Sequence, residues 1–154
     1  MHKRPHSQRG FTIVELLIVL SIVSLAMLIA NSSYITFRES SVLNRAARVI
    51  AADVALTRSY AIRHRAPVAL VADESKQSYV IRDAAGNVFL NRVFDASSEM
   101  PIESLNVIMF GDSVTFNERG LMWGLGSVNI DITRRGSGRR VQANAVGRWR
   151  ITVF

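Results

Sequence analysis

The sequence predicts an α+β protein: one long N-terminal helix, half transmembrane and half amphipathic, packed on a C-terminal antiparallel β-sandwich or set of curled sheets. Three observations predict it. Residues 11–30 form an apolar run whose single charge is Glu15. Apolar residues then recur at helical spacing as far as Ala61, with no proline between Pro5 and Pro67. From Pro67 to Phe154, short runs of β-formers alternate with turn-forming residues.

The chain has 154 residues, a length that suits one domain plus an appendage. It carries no cysteine, so disulfides and thiolate chemistry are excluded. The net charge of +7 is unevenly spread. Lys3, Arg4 and Arg9 precede the apolar run. Arg134, Arg135, Arg139, Arg140, Arg148 and Arg150 follow Asp131, after which no acid occurs.

Taken as a helix, residues 11–30 cover about 30 Å, the thickness of a bilayer core. The basic residues in front of the run orient it, with residues 1–10 cytoplasmic and the rest outside. A secretory signal peptide would need a small-residue cleavage site, and Leu28-Ile29-Ala30-Asn31-Ser32 is a weak one. Neither that reading nor a plain anchor explains Glu15, because a carboxylate in hydrocarbon costs about 2.5–3.5 kcal/mol even on lenient scales.

Gly10-Phe11-Thr12-Ile13-Val14-Glu15, behind a short basic leader, resembles the signature of type IV prepilins. The resemblance implies cleavage by prepilin peptidase between Gly10 and Phe11 and N-methylation of Phe11. It also implies that Glu15 meets the N-terminal amine of a neighbouring subunit. An ammonium freed inside a membrane-embedded bundle needs an opposite charge, and Glu15, one turn away, supplies it. Ser21 and Ser24 could bond across helices, but bonds to their own backbone are the commoner habit of serine.

Beyond Ala30, the amphipathic stripe is Leu43, Ala47, Ile50, Val54 and Ala61, with Arg45, Arg48, Asp53, Arg58 and Arg63 off it. Pro67 ends the helix near Arg65. Ser32 stands where many prepilin-like relatives carry a proline. The divisions are therefore residues 1–10 as a cleaved leader, 11–32 as the transmembrane half, 33–65 as the amphipathic half and 66–154 as the β-rich domain.

Strands are expected at 67–72, 79–81, 88–94, 106–110, 113–116, 127–133, 140–145 and 148–153. Gly111-Asp112 reads as a hairpin turn, and residues 134–138 as a loop. In the last strand, Trp149, Ile151 and Val153 are expected to face the core, with Arg148, Arg150 and Thr152 facing out.

Three segments narrow the resemblance. Ala55-Leu-Thr-Arg-Ser-Tyr-Ala-Ile-Arg-His-Arg-Ala-Pro-Val68, Val114-Thr-Phe-Asn-Glu-Arg-Gly120 and Ala145-Val-Gly-Arg-Trp-Arg-Ile151 are similar to segments of the FimT/GspH group of minor pilins and pseudopilins. The group implies a single-pass protein of the bacterial inner membrane whose C-terminal domain is periplasmic. Its subunits pack through the N-terminal helix. They assemble on an inner-membrane platform into a type II secretion pseudopilus or a type IV pilus, at or near the tip. Within it, FimT-like members use a GRxR segment to bind DNA during transformation. Gly147-Arg148-Trp149-Arg150 matches that pattern, and Arg134, Arg135, Arg139 and Arg140 could add to the same surface.

Catalysis is not expected. No metal-spaced histidine pair or phosphate loop occurs, and Gly124-Leu-Gly126-Ser127 does not lie between a strand and a helix. No cofactor is expected. Asp73 with Glu74, or Asp95 with Glu99, is too sparse for calcium.

Overall fold

The computed structural model describes residues 11–108, 113–124 and 126–154, and of residues 30–33, 35 and 36 the backbone alone. It divides into a first unit ending at Phe37 and a second running from Arg38 to Phe154. Helix α1, Ile13–His64, comprises 52 residues. The expected end near Arg65 is met by a specific stop. Arg65 takes a left-handed φ of 49°, its N–H donates to Ile62 O, and the N–H of Ala66 donates to Ala61 O. This is a Schellman stop with arginine in the usual place of glycine, and Pro67 follows.

In the first unit, Leu16, Leu17, Ile18 and Val19 are all exposed. Four successive residues sweep round a helix, so this part is apolar on every side. Among the described residues no helix is long and apolar enough to cross a membrane. The apolar run of the sequence reaches Ala30, whose side chain lies outside the described set.

The second unit holds eight strands in two antiparallel sheets. The first sheet has the order β3-β2-β1-β5. Its strands are β1 Val68–Asp73, β2 Ser78–Asp83, β3 Val88–Val93 and β5 Ser113–Phe116. The second sheet, β4-β6-β7-β8, comprises Ser104–Ile108, Ser127–Arg134, Ser137–Asn144 and Trp149–Val153. Leu43, Ala46, Ala47, Ile50, Ala51 and Val54 of α1 are fully buried. They join Leu70, Ile81 and Phe116 of the first sheet and Val128, Ile130 and Val141 of the second in one core cluster. The three alanines on that stripe leave room for both sheets to approach the helix.

Asp53 departs from expectation. Placed off the stripe by sequence, it is 5 % exposed. Its carboxylate accepts from Tyr79 Oη at 2.7 Å and from Arg92 Nε and Nη2 at 3.0 and 3.3 Å. Burial and the adjacent Asp53 charge push the Tyr79 hydroxyl far above its ordinary range, so it remains a donor. The cluster ties α1 to β2 and β3. On α1, Asp53 lies between the buried Ile50 and Thr57 at helical spacing.

Two turn assignments are corrected. Residues 134–138 are not a loop. Arg135 and Gly136 alone form the turn, with φ of 47° and 75°, the positive pair that a tight hairpin between β6 and β7 requires. β4 and β5 are not a hairpin: β4 pairs with β6 and β5 with β1, so the chain changes sheet between them. The Gly111-Asp112 turn lies outside the described residues. A turn motif marks a reversal without specifying the partner strand. Trp149 and Val153 are a third correction. They stay 48 % and 71 % exposed on β8, an outermost strand of its sheet.

Candidate assembly helix and basic strand

At the start of α1, Thr12 is the N-cap. Its Oγ1 accepts from Glu15 N at 3.2 Å, and its carbonyl accepts from Leu16 N at 3.1 Å. Thr12-x-x-Glu15 is the spacing of a capping box, a signal that the charge argument overlooked. Glu15 thus sits in the first turn of its own helix, where the macrodipole favours an acid. Its carboxylate has no hydrogen bond or ion pair among the described residues. Ser21 and Ser24 donate back to Leu17 O and Leu20 O, each at 2.8 Å, and so spend their hydroxyls on the helix itself. Phe11 is exposed, and Gly10 lies outside the described residues.

The three segments similar to one protein group meet at Arg58. Two turns of the same build flank it. In the first, Asn117 Oδ1 accepts from Arg119 N and Leu121 N, and Gly120 N donates to Asn117 O. In the second, Asn144 Oδ1 accepts from Val146 N and Arg148 N, and Gly147 N donates to Asn144 O. Each glycine has positive φ, 72° and 75°. Arg58 Nε donates to Gly120 O at 3.0 Å. A Cβ on Gly120 would lie 2.6 Å from Ile62, and one on Gly147 would lie 2.8 Å from Arg58 Cδ. The repeated Asn-x-x-Gly spacing was in the sequence and went unread.

These turns give a prediction. Gly120→Ala and Gly147→Ala each lower stability by about 1–2 kcal/mol through left-handed strain alone. Gly120→Ala loses more, since Ile62 must also move. Urea midpoints of the full chain in detergent measure both. Adding Arg58→Ala recovers part of the loss at Gly147, and an additive pair would show that the side chain does not set the turn.

The six C-terminal arginines do not form one surface, and four are engaged internally. Arg139, 6 % exposed, donates to Asn44 Oδ1, Ser40 Oγ and Gly138 O. Arg134 Nε forms an ion pair with Glu39 Oε2 without an aligned hydrogen bond, while its Nη1 donates to Pro101 O. Arg135 Nη1 reaches Glu39 Oε1 at 3.0 Å. Arg140 is bidentate on Asp131, both contacts being 2.7 Å, and that pairing raises its pKa. These arginines stitch α1 to the second sheet or strand to strand. Spacing in sequence did not reveal it because their partners lie far away in the chain. Arg148 and Arg150 are different. Both are exposed, and neither side chain has a partner among the described residues. With Ser127, Gln142 and Asn144 they line a shallow groove of about 460 Å³.

Among the described residues no three metal-binding side chains cluster.

Comparison with known proteins gives two family matches. Residues 5–31 match the prokaryotic N-terminal methylation motif, and residues 46–147 match type II transport protein GspH. No curated protein matches. Among solved structures, the chain is similar to type IV minor pilin FimU of Pseudomonas aeruginosa (strain PAO1). One crystal form aligns at 20 % identity with a TM-score of 0.60, covering 75 % of this chain and 92 % of that one. A second form aligns at 17 % identity with a TM-score of 0.56, covering 71 % and 92 %. At that identity the likeness shows the fold, a long helix followed by antiparallel sheets. The chain belongs to the GspH family of pilin-like subunits, minor pilins and pseudopilins that are structural parts and not enzymes, and it carries their N-terminal methylation motif.

Proposed function

We propose that the chain is a subunit of a type II secretion pseudopilus or a related type IV pilus. Prepilin peptidase removes residues 1–10, and Phe11 becomes the methylated N-terminus. The helix from Phe11 holds the protein in the bacterial inner membrane, with the C-terminal domain in the periplasm, until the assembly platform extracts it. The observation that carries this reading is that the first-unit part of α1 is apolar on every face and that its one acid, Glu15, has no partner among the described residues. Such a helix finds partners in lipid or in other helices, and an unpaired carboxylate near its start asks for a cation there. Mass spectrometry of protein from its native host tests the reading. The expected mass is that of residues 11–154 plus one methyl group. An intact leader, or a mature end near residue 30, overturns it.

The exposed, unpartnered Arg148 and Arg150 favour a second reading, a FimT-like minor pilin that binds DNA. Successive outward positions on a strand lie about 6.6–6.8 Å apart, so each guanidinium could meet its own phosphate. Duplex affinity would fall steeply with salt. Replacing both arginines with alanine should flatten the salt dependence in a gel shift by about two phosphate contacts. Unchanged binding by the double variant excludes this reading.

A further inference from the structure

The two sheets have four edges, and three of them carry a guard along part of their length. On β4, the N–H of Val107 donates to Glu74 Oε1 at 3.1 Å. β5 is covered by the returning chain, where Trp123 N donates to Thr115 O and Met122 bridges Phe116. On β3 the pairing with β2 carries a register shift opposite Ile81 and Arg82. Bulges and coverings of this kind are the usual protections of an edge.

β8 has none of these. Asn144 N donates to Arg148 O, and Phe154 N to Gly138 O. In an antiparallel ladder every second residue bonds to the neighbouring strand, so Arg150 and Thr152 also face β7. Trp149, Ile151 and Val153 therefore turn their N–H and C=O groups away from the sheet. No proline, lysine or bulge guards them. On one face of the edge, Trp149 and Val153 remain exposed. On the other stand Arg148 and Arg150.

We propose that β8 is a docking edge for an extended segment of another protein in which apolar and acidic residues alternate. Such a strand completes the three open backbone positions. Its apolar side chains cover Trp149 and Val153, and its carboxylates lie beside Arg148 and Arg150 at cross-strand distance. A second copy of this chain is a poor occupant. Two β8 strands paired edge to edge would gather their arginines on one face, and no acid follows Asp131 to offset them. This inference is independent of the assembly reading, since β8 lies in the second unit.

The test uses the full chain in detergent and a short synthetic peptide alternating valine and glutamate. Hydrogen exchange at the amides of Trp149, Ile151 and Val153 should slow about tenfold or more on binding. The amides of Arg150 and Thr152 should change little. A peptide of the same composition in block order should protect none of them. Val153→Pro removes an outward N–H without breaking a bond to β7, and should weaken binding about tenfold or more. Arg150→Glu should reverse the preference toward a valine–lysine peptide. Equal protection by the block peptide, undiminished binding by Val153→Pro, or free exchange at the three amides overturns the proposal. So does a result in which duplex DNA occupies Arg148 and Arg150 while the acidic peptide protects nothing.

Discussion

Arg92→Ala lowers the unfolding free energy of the second unit by about 4 kcal/mol, the largest loss expected from any single truncation outside the apolar core. Asp53 is nearly inaccessible, and without Arg92 its carboxylate keeps one partner, the Tyr79 hydroxyl. A charge left buried this way costs about 3–5 kcal/mol. Asp53→Ala should cost less, about 3 kcal/mol, because the Arg92 side chain is one-third exposed and can turn to water. Denaturant titration of the full chain in detergent gives both values. Removing both partners should cost less than the sum of the single losses, since no orphan charge remains. If Asp53→Ala proves the more damaging, the loss comes from packing of the helix and not from a stranded carboxylate.

The sequence was legible where local chemistry decides the structure. Pro67 marked the end of α1, and the alternation in residues 127–133 marked β6 within one residue. It was less legible where a side chain's partner lies far along the chain. Asp53 reads as a surface acid until β2 brings Tyr79 and β3 brings Arg92 beneath it. Arg139 reads as part of a basic tail until Ser40 and Asn44 enclose it. Strand pairing failed for a related reason. The Gly111-Asp112 turn signalled a reversal between β4 and β5, yet the apolar faces of those strands belong to different sheets. Alternation assigned Trp149 to the inward face, but alternation does not say whether anything covers that face, and on β8 Trp149 is left exposed.

The assembly reading makes its sharpest prediction at Glu15. Glu15→Ala should insert in the membrane at least as well as the parent, since it removes a carboxylate that costs about 2.5–3.5 kcal/mol in hydrocarbon. Filament incorporation should nevertheless fall more than about a hundredfold, the equivalent of about 3 kcal/mol at each subunit contact. A local role for the acid competes with this account, because Thr12 and Glu15 have the spacing of a capping box and Glu15 lies at the positive end of its own helix. Glu15→Gln separates the two. Glutamine serves a capping box as glutamate does, but it carries no charge to meet an amine. If Glu15→Gln assembles, the acid acts on its own helix and the pairing account fails. If alanine and glutamine fail alike while Thr12→Ala, which costs only about 1 kcal/mol of cap, still assembles, then the charge itself is what the neighbouring subunit needs.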